Sequence, residues 1–398
     1  MKLGLTFVVL GYVLSQFYRA FLAVLAPMLA SDIGVGADVL SKAAGFWFIA
    51  FALMQFPVGW ALDTLGPKRT SSVLLGICGA GGAALFGFAQ GPMAIYAAMI
   101  LIGIGCAPVL MAGYYIFARS FAPAAFATLA GALLGAGSFG NLASSLPLAW
   151  AAEAFGWRET MFGLAGATLL VALALAVFLR DPPPVERAEG EGRGSFVDLF
   201  KTRALWPIFA MMIVNYAPAA GLRGVWAGPY FGDVFGMDAG GIGRATLIMG
   251  CAMIAGAFLY GPIDRILGRR KALIAFGNGM VLLCLIIFIA VPGLSRGAAI
   301  ALLAGIGFFG ATYPVLIGQA RENCPPHLMG RGVTLMNFFG IGGAGVMQLV
   351  TGRVFDGQEG RLIEAQYGAV FLTFAIVLAV GLSIYLFLRP VARIEQNY

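Results

Sequence analysis

The hydrophobic residues of this chain form long, nearly uninterrupted runs that alternate with short polar segments. An α-helix needs about 20 apolar residues to cross the hydrocarbon core of a bilayer. Runs of that length predict twelve membrane-spanning helices, at 4–30, 39–62, 71–90, 92–118, 123–151, 159–179, 204–232, 242–263, 272–293, 297–320, 332–354 and 366–388. The first run is too long for the apolar part of a signal peptide, so we expect it to remain as the first helix.

One segment between these runs is long and polar. Residues 181–203 begin with Asp181-Pro-Pro-Pro184 and continue with Glu, Arg, Gly and Ser, a composition that cannot bury enough apolar area to fold. We predict a linker there, which divides the chain into a six-helix bundle over 1–180 and a second six-helix bundle over 204–398. The expected fold is an all-α membrane protein with two pseudo-symmetric bundles.

Composition supports a membrane location. Sixty per cent of the 398 residues are hydrophobic and only 11% are charged, whereas a soluble domain carries roughly 25% charged residues. The net charge of +7 could suggest nucleic acid, but its distribution has a better explanation in membrane topology. We therefore expect no nucleic-acid partner and a multi-pass protein of the bacterial inner membrane, monomeric in the bilayer.

Lysine and arginine indicate the orientation of the predicted spans. With the N-terminus inside, the outer side holds only Lys42, Arg158, Arg244, Arg296, Arg353 and Arg361. Arg19 and Arg223 lie within spans, so the other 17 of the 25 Lys and Arg residues fall on the cytoplasmic side. Cytoplasmic loops carry this excess of positive charge in membrane proteins. We predict that both termini face the cytoplasm.

A loop motif occurs at the same place in each predicted bundle. After the second span stands Gly59-Trp-Ala-Leu-Asp63-Thr-Leu-Gly66-Pro-Lys68-Arg69, and after the eighth stands Gly261-Pro-Ile-Asp264-Arg265-Ile-Leu-Gly268-Arg269-Arg270. With six plus six spans and a central linker, this motif resembles the major facilitator superfamily over the whole chain. The second copy departs from the pattern, because Asp264 lies one residue further from the following glycine.

The resemblance implies that these loops hold one face of a transporter closed. The residues concerned are Asp63, Gly66, Lys68 and Arg69 in the first loop and Asp264, Arg265, Gly268, Arg269 and Arg270 in the second. Our hypothesis is that Asp63, Lys68 and Arg69 stabilise the outward-facing state. A solvated loop that only fixes topology is the alternative. Which acidic group acts in the second loop is open.

Two arginines lie inside predicted spans, where an ionisable side chain is costly and therefore a functional candidate. Arg19 lies near the middle of the first span and Arg223 in the seventh, at equivalent places in the two bundles. The resemblance implies that both helices line a central cavity. Arginine binds oxyanions through two parallel hydrogen bonds and keeps its charge when desolvated. Because no acidic residue lies in the middle of a span, we predict a clamp for a small anion. The alternative is that either arginine reaches the interface or caps helix carbonyls.

Polar and aromatic residues within the spans complete the predicted binding site. They are Tyr18, Tyr114, Tyr115, Asn141, Asn215, Tyr216, Trp226, Tyr313, Asn337 and Gln348. For any one of them, a hydrogen bond to a neighbouring helix is the competing explanation.

The function predicted from these residues is secondary active transport of a small organic anion of the carboxylate class. We expect uptake by proton symport or by exchange, with the two bundles rocking about the arginines. The alternatives are an exporter of lipophilic, drug-like compounds and a non-transporting receptor or assembly factor. Gly-Lys-Ser/Thr, metal-ligand clusters and nucleophile triads are absent from the sequence, so we predict no enzyme activity, no metal and no cofactor. The expected partners are the anionic solute, the lipid bilayer and protons.

Overall fold

The computed structural model describes residues 2–121, 123–182, 196–291, 293–324 and 329–387, and the secondary structure of these residues is entirely helical. Most of the predicted linker and the C-terminal residues 388–398 lie outside the described residues. The helices are α1 Lys2–Phe17, α2 Leu22–Ile33, α3 Ala37–Thr64, α4 Gly66–Gly87, α5 Pro92–Ser120, α6 Pro123–Ala143, α7 Leu146–Phe155, α8 Trp157–Phe178, α9 Phe196–Lys201, α10 Arg203–Phe235, α11 Ala239–Leu267, α12 Arg270–Ala290, α13 Arg296–Phe309, α14 Tyr313–Asn323, α15 Met329–Asp356 and α16 Ile363–Phe387.

These helices confirm the predicted all-α membrane fold. Ten helical segments of the described chain are long and apolar enough to cross a bilayer, and eleven are if α1 and α2 count as one bent span. A shorter apolar helix, Leu129–Ala143, lies within the predicted fifth span. Large apolar side chains are exposed along one side of α8, namely Leu169, Leu170, Leu173 and Val177. A surface of this kind fits lipid rather than water. The exact number of twelve spans stays a prediction.

The first span differs from the single helix predicted at 4–30. It is broken between α1 and α2, which are bent by 53°. Neither glycine nor proline occurs in residues 18–21 to signal the break. The bend accompanies tight turns in which Ala20 N–H donates to Phe17 and Val24 N–H donates to Phe21, and Phe21 is fully buried among aromatic rings. The physical cause is therefore tertiary packing, which places Arg19 at an interruption of the helix.

Other spans also deviate from regular α-helix near the middle of the molecule. Ser144 and Ser145 separate α6 from α7, and residues 310–312 separate α13 from α14. In α10, Leu222–Trp226 forms a π-helical turn that contains Arg223. Turns of this kind occur frequently at functional sites. Interruptions thus fall on several helices that surround the two arginines.

The N-terminal half (residues 2–182) and the C-terminal half (residues 196–387) pack together mainly through three helix pairs, α3 with α15, α2 with α10, and α7 with α11, and α2 also contacts α11. Small residues allow these contacts. Gly45 packs against Gly345 and Leu349, Gly228 packs against the backbone of Ala23, and Gly243 packs against Leu146. Close backbone approach is how transmembrane helices without a hydrophobic driving force gain contact. We call the side that carries the Asp63 and Asp264 loops the basic face, and the side that carries Lys42 and Asp356 the opposite face.

Candidate functional site

Arg19 lies at the break between α1 and α2, and its guanidinium group packs against two aromatic rings of α3. Its Cζ atom is 5.4 Å from the centre of the Trp47 ring and 5.3 Å from that of Phe51. Residues four apart lie on the same face of a helix, so α3 presents both rings to the arginine. Contact of this kind stabilises a cation by about 0.5–2 kcal/mol. The ring contacts use none of the guanidinium N–H groups, and the Tyr216 side chain forms a hydrogen bond with the guanidinium group.

Several polar atoms around Arg19 are buried without a hydrogen-bond partner. They are Nε of Arg19, Nε1 of Trp47 and Oε1 of Gln16. Within the described part of the chain, no aspartate or glutamate forms an ion pair with Arg19. Buried donors without an acceptor are rare in folded proteins because each costs roughly 1–3 kcal/mol. Two unpaired N–H groups beside an uncompensated cation are suited to an oxyanion.

Two further residues of α1 belong to this region and were not predicted. Tyr12 and Gln16 are four residues apart, so they share one face of α1, and Arg19 follows three residues later, just past the end of α1. Gln16 Nε2 donates to the Tyr12 hydroxyl at 2.6 Å, and Tyr12 lies close enough to interact with the charge of Arg19. Their spacing from Arg19 in the sequence could have identified Tyr12 and Gln16. It could not identify Trp47 and Phe51, because these lie on α3.

The C-terminal half adds aromatic and amide groups to the same region. Tyr216 and Tyr313 lie near enough to interact electrostatically with Arg19, and their rings are 6.0 Å apart. Tyr313 donates through its hydroxyl to Asn337 Oδ1 at 2.9 Å. Tyr114 of α5 lies near Tyr12 and Tyr313. We call Tyr12, Gln16, Arg19, Trp47, Phe51, Tyr216, Tyr313 and Asn337 the central site.

Arg223 is close to Arg19 in the backbone but not in its side-chain contacts. A Cβ atom on Gly224 would lie 3.1 Å from the Arg19 carbonyl oxygen, so α10 crosses the chain at Arg19. The Arg223 side chain is only 4% exposed. It donates from Nη1 to Asn141 Oδ1 at 2.8 Å, and from Nη2 to the Asn141 carbonyl and to Ser145 Oγ. The two guanidinium groups are therefore held by different helices, and their joint action as a clamp stays a prediction.

Other predicted site residues are bonded to neighbouring helices, as the competing explanation expected. The Tyr18 hydroxyl is 2.9 Å from Thr168 Oγ1, Asn215 donates to Asn278 and Thr312, and Trp226 Nε1 donates to Thr351. Gln348 accepts from Ser41 across the two halves. Tyr115 lies at the end of α5, where the Arg119 guanidinium is 4.1 Å from its ring centre. None of these contacts involves Arg19.

The first loop of the basic face contacts the residue at which the predicted linker begins. Lys68 N–H donates to Asp181 Oδ1 at 2.7 Å. Gly66 has φ +84°, and a Cβ atom there would lie 2.7 Å from the Asp181 carboxyl carbon, so glycine is required by conformation and by space. Asp63 lies 3.6 Å from Arg119 at the end of α5, while Arg69 is exposed. These contacts all lie within the N-terminal half.

The second loop repeats this arrangement with an additional charge. Asp264 Oδ2 is 2.7 Å from Arg270 Nε, and Arg270 Nη1 is 2.7 Å from Glu322 at the end of α14. Gly268 ends α11 with φ +59°, and Arg265 and Arg269 are exposed. Asp264 is thus the acidic group of this loop that forms an ion pair, despite its shifted position. These contacts lie within the C-terminal half.

The sequence is similar to those of known membrane transporters. The model of the Major Facilitator Superfamily matches residues 8–348. The probable sulfoacetate transporter SauU of Cupriavidus necator is 24% identical, with 97% of this chain and 93% of that protein covered. The probable galactarate/D-glucarate transporter GudP of Bacillus subtilis is 22% identical, with 94% and 89% covered.

Solved structures share the fold. A peptide transporter POT in complex with sulfate superposes with a TM-score of 0.76 at 12% identity, covering 96% of this chain and 93% of its own. A D-xylose-proton symporter gives a TM-score of 0.75 at 15% identity, with 97% of both chains covered. At these identities the likeness concerns the fold alone. Among the described residues, no group of three or more His, Cys, Asp or Glu side chains could hold a metal ion.

Proposed function

Because this chain belongs to the Major Facilitator Superfamily, we propose that it is a secondary active transporter of a small organic anion. The observation that carries this proposal is the environment of Arg19. Its charge has no carboxylate partner among the described residues, and its Nε atom is buried without an acceptor. Removing a charge from water costs several kcal/mol unless an opposite charge compensates it. A bound anion supplies that charge and the missing acceptor together.

The substrate class follows from the same groups. A carboxylate or sulfonate accepts two parallel hydrogen bonds from a guanidinium group. The Tyr and Asn side chains of the central site suit hydroxyl or further oxygen substituents on the anion. The relatives support this class, because sulfoacetate and galactarate are small organic dianions. Lipophilic or cationic compounds fit less well, since they leave Arg19 uncompensated.

We propose that the basic face is cytoplasmic and that the halves rock about the central site. The positive-charge bias supports this orientation. Cross-half contacts at the opposite face support a conformation that is closed to the outside. Asp and Glu are absent from the central site as defined above, so the coupling proton would be carried by the substrate or by an acid elsewhere. Exchange of one anion for another needs no such group and remains the second form of coupling.

Arg19 substitutions test the proposal directly. Purified protein in proteoliposomes is assayed for binding and uptake of sulfoacetate, galactarate and acetate, with a panel of amines in parallel. We expect Arg19→Ala to weaken anion binding by about a hundredfold, since charged-group hydrogen bonds are worth roughly 1.5–3 kcal/mol. Arg19→Lys should recover only part of this, because lysine lacks the planar fork.

Arg244→Ala is the matched control, because Arg244 is an exposed arginine of α11 away from the central site. It should leave binding unchanged. Unaltered anion binding in Arg19→Ala, or uptake of amines in preference to anions, would refute the proposed function.

A further inference from the structure

We infer that Asn141 and Ser145 form a latch that takes Arg223 away from the bound anion when the opposite face closes. This inference rests on the proposed function. Arg223 belongs to the C-terminal half, and its partners Asn141 and Ser145 belong to the N-terminal half. The three hydrogen bonds therefore form only while α10 and the α6–α7 region are in contact.

The latch and an anion compete for the same donors. Both terminal nitrogens of Arg223 are bonded to the latch, and only Nε is without a partner. A bidentate bond to a carboxylate or sulfonate needs two N–H groups along one edge of the planar guanidinium group. Gly250 of α11 packs on the same side chain, since a Cβ there would lie 3.1 Å from Nη2. An arginine in this position cannot present a free fork.

Helix interruptions make the exchange of partners feasible. Arg223 lies in the π-helical turn of α10, and Ser145 lies in the break between α6 and α7. Backbone at such positions has fewer regular hydrogen bonds to lose when a side chain is redirected. The latch consists of neutral acceptors, so its bonds are weaker than a salt bridge to a carboxylate. An anion can therefore displace it.

The consequence is an affinity that differs between the two conformations. With the opposite face open, Arg19 and Arg223 bind the two charged ends of a dianion. With the opposite face closed, Arg223 bonds to Asn141 and Ser145, and Arg19 alone holds the anion. The anion is bound less tightly on the side where it is released. Asn141 and Ser145 thus act as positioning residues for Arg223.

Opposite substitutions at Asn141 test the latch. Asn141→Ala removes the Oδ1 acceptor of Arg223 Nη1 and leaves the backbone carbonyl and Ser145 Oγ, so galactarate and sulfoacetate should bind about tenfold more tightly. A charged-group hydrogen bond is worth about that factor or more. Asn141→Asp pairs Arg223 permanently, so both dianions should bind about tenfold more weakly. Acetate, which has a single charge, should change less than twofold in either variant. Isothermal titration calorimetry on purified protein measures all three.

Adjacent serines provide a matched pair. Ser145→Ala removes a contact to Arg223, whereas Ser144→Ala removes only a bond from Ser144 to the Asn141 carbonyl. We expect the first to strengthen dianion binding and the second to leave it unchanged. Equal or same-sign effects of Asn141→Ala and Asn141→Asp on dianion affinity would overturn the latch. Loss of anion binding in Arg19→Ala together with such a result would leave the proposed function intact and remove only the latch.

Discussion

The two faces of the molecule are held together by different contacts. At the opposite face, polar bonds cross between the halves, from Lys42 to Asp356 at 2.6 Å and from Ser41 to the Gln348 carbonyl at 2.6 Å. At the basic face, the ion pairs among the described residues join helices of the same half, as for Asp63 with Arg119 and Asp264 with Arg270. Cross-half contacts resist opening of their own face, whereas contacts within a half move with it as a unit. The opposite face is therefore the one that these contacts hold closed.

The balance between conformations therefore depends mainly on the contacts that cross between the halves. Contacts at the opposite face must be broken for the alternate state, so their loss should favour opening there. Contacts within each half at the basic face change little on rocking, unless new cross-half partners form. Substitutions at three positions, Gly228, Lys42 and Asp63, test this difference between the faces. Spin labels at Ser31→Cys and Glu359→Cys report the distance between the halves at the opposite face, measured by pulsed electron paramagnetic resonance. The native cysteines are replaced for this purpose.

Gly228→Ala should have the largest effect. A Cβ atom there would overlap the carbonyl oxygen of Ala23 in the other half, so α2 and α10 could not meet as they do. Overpacking typically costs 1–3 kcal/mol, and we expect the label distances to shift to the longer population by about tenfold or more, with loss of uptake.

Two glycines serve as controls for Gly228→Ala. Gly232→Ala, where the nearest atoms are 4.0 Å away, should leave the distances unchanged. Gly140→Ala makes a comparable overlap with the Val13 carbonyl, but within the N-terminal half, so it should lower thermal stability without favouring the longer distances. An unaltered distance distribution in Gly228→Ala would show that the opposite face does not close through this crossing.

Lys42→Ala should have a smaller effect in the same direction. Lys42 bonds to Asp356 across the halves and to Asp38 within α3, but the Lys42 and Asp356 side chains remain 27% and 41% exposed. Partly exposed ion pairs contribute about 0–1 kcal/mol and are screened by salt. We expect up to a fivefold rise in the population that is open at the opposite face, and the difference from wild type should shrink in high salt.

Lys201→Ala, which breaks an ion pair with Asp198 inside α9, is the control for Lys42→Ala. A shift of the same size in Lys201→Ala would reject the cross-half role of Lys42.

The sequence predicts the architecture far better than the contacts of individual side chains. Long apolar runs, the repeated loop motif and two arginines inside spans are local signals, and they predicted the all-α membrane fold and the family. The break at residues 18–21 results from packing of Phe17, Tyr18 and Phe21, which no local pattern encodes. Trp47 was not predicted as a neighbour of Arg19 because its contact joins two helices. For polar residues such as Asn215 and Tyr18, the sequence pattern is the same whether the side chain faces a cavity or bonds to another helix.

Asp63→Asn should have the smallest effect, and the opposite sign. Asp63 is about half exposed, and its ion pair with Arg119 joins α3 and α5 within one half at 3.6 Å, a distance at which a surface pair contributes little.

The hypothesis is that Asp63, Lys68 and Arg69 stabilise the alternate state by closing the basic face. Their cross-half contacts would then form only in that state, so Asp63→Asn should favour the conformation described here. A carboxylate near a helix N-terminus is worth about 0.3–1 kcal/mol, and the half-exposed Asp63 belongs at the low end, so the open population at the opposite face should fall by about twofold. Accessibility of single cysteines to thiol reagents from each side measures this, with Asp264→Asn as the counterpart in the other loop. An unchanged pattern in Asp63→Asn would mean that this loop fixes topology and does not gate, and the balance would then depend on the opposite face alone.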